Sequence, residues 1–263
     1  MRLIDLTCVL DPADIDRVPE AIRPWSINFV PRIDAFRPDG EGAETMCQIF
    51  GCGREDLPDG EGWGDEHMRI STHLGTHVDA PLHYGTTCEG KPARTIDQIR
   101  LDELVVDAVV LDVRDGAEPG KGIEVDALRA AIEQSGGIPP GGAALVRTGQ
   151  ERFTIADAGF YDYPGMTRAG TLLLAELGAR VLGTDALGWD RPFGVMREAF
   201  HATGDPSQIW DGHFAGRERE VFIVQQLVDL GALPPGPVKV GFFPLRLAGC
   251  SAAPARVVAF VDD

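Results

Sequence analysis

Short apolar runs, most of them rich in Val, Ile, Leu or Phe and closed by Gly, Pro or Asp, recur along the chain. They predict strands at Leu3 to Leu10, Arg69 to His77, Val105 to Val113, Ala143 to Thr148, Arg180 to Asp185, Val238 to Leu247 and Arg256 to Val261. Two segments carry helical spacing instead. Glu124 to Gln134 places Val125, Leu128, Ala131 and Ile132 on one face and runs into Gly136-Gly137, and Thr167 to Leu177 starts at a capping threonine and stops at Gly178. Strands outnumber helices and the helices fall between strands, so the pattern predicts an α/β domain with mixed sheets and few helices. Segment 11–66 breaks the pattern: Pro12, Pro19, Pro24, Pro31, Pro38 and Pro58 predict an irregular arm or lid. With no repeat and no linker, residues 1–263 read as one domain.

Composition narrows the function classes. With 41 Asp+Glu against 24 Lys+Arg, the net charge of −17 repels phosphate backbones and anionic headgroups, which argues against a nucleic-acid or membrane-surface partner. Five scattered cysteines with no C-x-x-C pair argue against a disulfide scaffold and a zinc knuckle. No run approaches the roughly 20 apolar residues of a membrane span, and Asp5 and Asp11 interrupt the only apolar stretch at the N-terminus. The expected compartment is cytoplasmic and the expected partner a small-molecule substrate.

Three of the six histidines fall in one short stretch, His73-Leu-Gly75-Thr76-His77-Val-Asp79-Ala-Pro81-Leu-His83. All three, and Asp79, share one parity, so an extended chain would turn three imidazoles and a carboxylate to the same side. A helix would also align His73 with His77, but Gly75 and Pro81 disfavour it. In a strand His77 and Asp79 lie about 7 Å apart at Cα, within reach of one ion, whereas His73 and His77 lie about 13 Å apart. The chain must therefore bend between them, most easily at Gly75. Two neutral imidazoles and a carboxylate suit a first-row divalent ion with positions left for water or substrate. The competing readings are a polar surface loop and a structural ion, but four ionisable groups on one face demand a partner.

This stretch, His73-x-Gly75-Thr76-His77-x-Asp79-x-Pro81-x-His83, resembles the signature of metal-dependent cyclase-type hydrolases, which include bacterial kynurenine formamidases and isatin hydrolases. Ile4-Asp5-Leu6-Thr7, Gly183-Thr184-Asp185 with Trp189-Asp190, and Pro244-Leu245-Arg246-Leu247 with Gly249, Pro254 and Arg256 resemble other parts of that family. The resemblance implies a swivelling β/β/α-type fold, a homo-oligomer (dimer or tetramer) and Zn²⁺ or Mn²⁺ at the motif. It also implies His73, His77 and Asp79 as ligands, with His83 as the acid–base residue. Relatives complete the site with a histidine and, twelve residues on, a glutamate; here His213 fills the first position and Gln225 the second. An amide oxygen can bind an ion without adding charge, so one divalent ion per subunit is expected rather than two. Glutamine there resembles the isatin-hydrolase branch, which favours Mn²⁺ over Zn²⁺. An ordinary buried amide, or Gln226 facing the metal instead, are the alternatives at this position.

The remaining candidates carry less. Phe36 and Trp63 could wall an aromatic substrate, with packing an equal alternative. His67 and His201 read as ordinary, Cys52 and Cys88 as packed, and Gly60-Glu-Gly-Trp-Gly64 as a turn. The expected reaction is hydrolysis of a cyclic amide, a lactone or an N-formyl arylamine by metal-activated water, with His83 moving the proton and His213 orienting substrate or stabilising charge. A cyclase or dehydratase using the same site is the alternative, and a silent metal-holding scaffold the third.

Overall fold

Seven strands close on themselves in the computed structural model, which describes residues 1–262. In chain order the strands are β1 (Arg2–Asp5), β2 (Arg32–Phe36), β3 (Asp65–Arg69), β4 (His77–Asp79), β5 (Thr87–Cys88), β6 (Lys91–Pro92), β7 (Val105–Asp112), β8 (Ala143–Arg147), β9 (Val181–Thr184), β10 (Phe222–Gln225), β11 (Val238–Pro244) and β12 (Ala252–Val261). The helices are α1 (Glu41–Phe50), α2 (Val125–Gln134), α3 (Ala158–Tyr161), α4 (Arg168–Glu176), α5 (Phe193–Thr203) and α6 (Asp211–Phe214). The main sheet runs β12-β11-β7-β8-β9-β10-β4, and β4 pairs back onto β12 to close the ring, with β1 added alongside β12. Strands β7 to β10 are parallel, as their helical crossovers require, and the other pairings are antiparallel.

Alternation along the strands sorts their side chains into two cores. Val106 and Ala108, Ala143 and Leu145, Val181, Phe222 and Val224, Val240 and Phe242, and alternate residues of β12 fill the barrel interior. The opposite face of the parallel strands carries Val109, Leu111, Ala144, Val146, Leu182 and Ile223, covered by Leu128 and Ala131 of α2 and Leu173 and Leu174 of α4. A third, small core of Val18, Val30 and Ile155 ties the N-terminal segment to the residues around α3.

The mixed α/β class with few helices is what the pattern predicted, and α2 and α4 lie where the capping signals put them. Three readings are corrected. No strand spans Arg69 to His77: β3 ends at Arg69, Leu74 N–H bonds the Ser71 carbonyl, and Gly75 turns the chain at φ +60° before β4 begins. A side chain on Gly75 would also meet Leu10 Cδ2 at 2.4 Å. Segment 11–66 holds regular structure, the β2–β3 hairpin and α1, and Pro12, Pro24 and Pro58 each open a 3-10 turn, where a missing N–H does no harm. β12 begins at Ala252, ahead of the expected Arg256.

Backbone packing between the 163–166 and 189–191 segments positions part of the site. Met166 N–H bonds the Trp189 carbonyl at 2.6 Å, and a Cβ on Gly165 would fall 2.1 Å from Arg191 N. Gly165→Ala should therefore destabilise by about 1–3 kcal/mol, as overpacking against backbone does. Thermal denaturation measures the loss; an unchanged midpoint would show that the two segments separate freely.

Candidate active site

Strand β4 is three residues long and fully buried, and the two-residue period of a strand decides what it presents. Val78 points into the barrel, so His77 and Asp79 point to its outer face. On that face β10 supplies the cross-strand partners, with Gln225 opposite His77 and Ile223 opposite Asp79. His73 arrives from the turn before β4, and His83 from the 3-10 turn Pro81–His83 that follows it. His213 arrives on α6.

The groups converge on the Asp79 carboxylate, which is 0% exposed. His73 Nδ1 lies 2.8 Å and His77 Nε2 3.4 Å from its Oδ1, and His213 Nε2 lies 3.5 Å from its Oδ2. Gln225 Nε2 donates to the same Oδ2 at 2.8 Å; turning the amide over would present its oxygen instead. Donor atoms of His73, Asp79 and His83 lie within 4.8 Å of one another, a set that could hold a metal ion. His77 Nδ1 is engaged by the Gly75 carbonyl at 2.7 Å, which leaves Nε2 facing the cluster. A carboxylate this buried, ringed by nitrogen donors, fits a divalent cation well.

Electrostatics separates the histidines. Burial alone would raise Asp79, but the His83 and His77 imidazoles and hydrogen bonds from His213 and His73 hold it well below the usual carboxylate range. Burial pushes the His83 imidazole down to about 3, with Asp79 only partly opposing. Burial would lower His213 as well, but Asp190 and Asp79 beside it push it up to about 9. Asp190 holds the His213 ring through Nδ1 and is itself fixed by the N–H groups of Gly212 (2.6 Å) and His213 (3.2 Å).

The cluster opens into a cavity of about 790 Å³. Its aromatic wall comes from Trp25, Phe29, Tyr161, Tyr163, Trp189 and Trp210. Trp210 stacks on His213 at 4.4 Å and meets His83 edge-on at 4.9 Å. It adopts a left-handed backbone at φ +54°, uncommon for a bulky residue. Sequence reasoning missed Trp210; its place just before the His213 segment was the only available signal. Phe36 and Trp63 do not line this cavity: Phe36 packs on His67 in the β2–β3 hairpin at 5.0 Å, and Trp63 is 41% exposed. Their hairpin is a separate two-stranded sheet. Gln226 lines the cavity without bonding the carboxylate; Gln225 makes that bond. His67 and His201 lie outside it.

The other resemblance motifs are supports. Asp185 accepts from Thr148 N and Oγ1 and Gly149 N at 2.7–2.8 Å, clamping the ends of β8 and β9. Arg256 pairs with Asp5, joining β12 to β1. Gly249 N–H bonds Asp97 Oδ1 at 2.9 Å, anchoring the loop before β12.

The fold and site together are a mixed α/β barrel with a buried histidine–carboxylate cluster, a candidate metal centre, at the base of an aromatic cavity. Residues 4–191 match the family model described as "Putative cyclase", and the chain belongs to that family. It is 29% identical over 198 residues to a protein named kynurenine formamidase from Salinibacter ruber, covering 73% of this chain and 77% of that one. Among solved structures, an isatin hydrolase bound to the product analogue thioisatinate superposes with a TM-score of 0.72 at 19% identity, over 100% of this chain and 93% of that one. A structure described as a potential metal-dependent hydrolase with cyclase activity superposes at 0.65 and 22% identity, over 100% and 98%. These two establish the likeness in fold. No helix among the described residues is long and apolar enough to cross a membrane.

Asp190→Asn removes the anion that raises His213. In metal-free protein the imidazole should then titrate below about 9, toward its ordinary value, when followed by NMR. An unchanged titration would assign the upward shift to Asp79 alone.

Proposed function

We propose that the protein is a metal-dependent hydrolase that opens a cyclic amide or lactone, or cleaves an N-formyl arylamine. The observation that carries this reading is the Asp79 carboxylate, wholly buried and ringed by nitrogen donors at the base of an aromatic cavity. Family membership and the kynurenine formamidase relative support it. In this reading His73, His77 and Asp79, with the Gln225 amide oxygen, hold one divalent ion per subunit, Mn²⁺ in preference to Zn²⁺. A bound divalent ion lowers the pKa of water and polarises a carbonyl.

The protein's own groups supply the proton transfers. His83 is uncharged at neutral pH because burial disfavours its protonated form, and the Asp79 anion beside it is what opposes that loss of basicity and lets it take the proton of the attacking water. His83 returns that proton to the leaving nitrogen or oxygen. His213, held by the Asp190 carboxylate, which favours its protonated form, faces the negative charge that develops on the carbonyl oxygen. Trp210 fixes both rings by packing. Trp25 and Phe29 line the cavity from the N-terminal segment.

His83→Ala should retain its metal by elemental analysis while turnover falls about 10²–10⁴-fold, the usual loss on removing a general base. Asp79→Ala should lose the metal. Wild-type turnover of N-formylkynurenine or isatin by the His83 variant would end this assignment. In ¹⁸O-water, hydrolysis places one labelled oxygen in the product; unlabelled product would point to ring closure or dehydration at the same centre.

A further inference from the structure

Away from the cavity, α1 ends between two cysteines, Cys47 in its last turn and Cys52 just beyond it. The helix stops at Gly51, which takes a left-handed backbone at φ +65° and folds the chain back. The N–H groups of Gly51 and Cys52 both bond the Cys47 carbonyl as a result, Cys52 at 3.1 Å. A bond that spans six residues across a left-handed glycine is the Schellman closure, in which the side chains of the two bonded residues meet. Standard backbone lengths added to that bond leave the two Cα atoms no more than about 7 Å apart, and the bends at carbonyl and amide bring them closer. That is the separation a disulfide spans. Both cysteines are only half-buried, so a small molecule can reach them.

The remaining cysteines each have a main-chain contact of their own. Cys8 Sγ accepts the Thr76 N–H at 3.1 Å, the buried Cys88 Sγ donates to the Gly216 carbonyl at 3.1 Å, and Cys250 Sγ lies 3.8 Å from the Ala248 carbonyl. Burial, the Cys47 thiol and the Asp56 carboxylate push the Cys52 thiol up, an influence that needs the two sulfurs to be neighbours. A thiol that holds its proton is the slower nucleophile. Among the described residues only His73, Asp79 and His83 form a group of three donors close enough for one ion. The thiol pair therefore has no third ligand, and its chemistry is that of sulfur with sulfur.

We propose that Cys47 and Cys52 are a modification site, a dithiol that low-molecular-weight disulfides convert reversibly to an intrachain disulfide. The Cys47 thiolate attacks R–S–S–R and expels one thiolate. Cys52 then attacks the Cys47 sulfur of the mixed disulfide and expels the second. The protein gives up two electrons and two protons, and two R–SH leave. The fold has already brought the sulfurs together, so the second step outruns release of the first adduct.

Reduced full-length protein is equilibrated with glutathione disulfide, alkylated and cut with trypsin. Residues 33–54 form one tryptic peptide, since Pro38 protects Arg37, and Cys47 and Cys52 are its cysteines. It should appear unalkylated and lighter by two hydrogens, at least about tenfold in excess over its glutathione adducts. Cys52→Ser should stop at an adduct on Cys47. In urea the excess should fall by about tenfold, because the glycine turn no longer holds the thiols together. Adducts on both cysteines, no reaction at either, or a bridge that forms equally well in urea would each overturn the proposal.

Discussion

A carboxylate with no exposed surface is the constraint around which this structure is arranged. Burying the Asp79 charge is strongly unfavourable unless hydrogen bonds and positive charge answer it. The chain answers with donors from four separate places: the turn before β4, β4 itself, β10 and α6. The same strand closes the barrel, because β4 bonds β10 on one side and β12 on the other. Three residues thus serve two ends. Val78 fills the core, while His77 and Asp79 build the site on the opposite face. Any shift in the register of β4 would open the barrel and scatter the cluster together.

How much of this was legible in the sequence follows from what is local. The parity of His77 and Asp79 is a property of three consecutive residues, and it holds. Extended over the whole stretch, the same argument fails at both ends, because Gly75 turns the chain and Pro81 starts a 3-10 turn. His73 and His83 still reach the cluster, by folding back on it rather than by lying along a strand; their rings stand 4.0 Å apart. Helices α2 and α4 were readable through apolar spacing and end signals, and Thr167 caps α4 through the Gly170 N–H at 3.2 Å. By contrast α1 is preceded by Gly40 and α5 by Pro192 at the cap position, neither with a side-chain cap. The first residues of β12 are alanines, which carry little strand propensity, yet Ala252 and Ala253 are fully buried.

The aromatic wall was not legible because nothing local encodes it. Trp25, Tyr163 and Trp210 lie far apart in sequence and meet only through tertiary packing. Phe36 and Trp63 have the right chemistry, but the β2–β3 hairpin carries them elsewhere. The pairing of Gln225 with His77 is likewise a matter of sheet register. Spacing from His213 pointed to Gln225 only by way of the family resemblance. Chemistry-bearing residue types identify candidates, and topology selects among them.

The site also shows how one residue type is given two opposite charge preferences. The rings of His83 and His213 stand 5.4 Å apart and both are largely buried, so desolvation drives both toward the neutral form. Only His213 has a carboxylate of its own behind it, Asp190, fixed by main-chain N–H groups at the start of α6. Asp190 and Asp79 together outweigh burial for His213, while for His83 the shared Asp79 is opposed by burial and by the neighbouring imidazoles, and it does not suffice. A neutral and a protonated imidazole are then favoured side by side without different side chains. The separation depends on where the backbone of Trp189 to Arg191 sits. Gly165 controls that position, because its missing side chain lets the two segments touch. The difference in charge preference between the two imidazoles therefore depends on backbone packing outside the cluster.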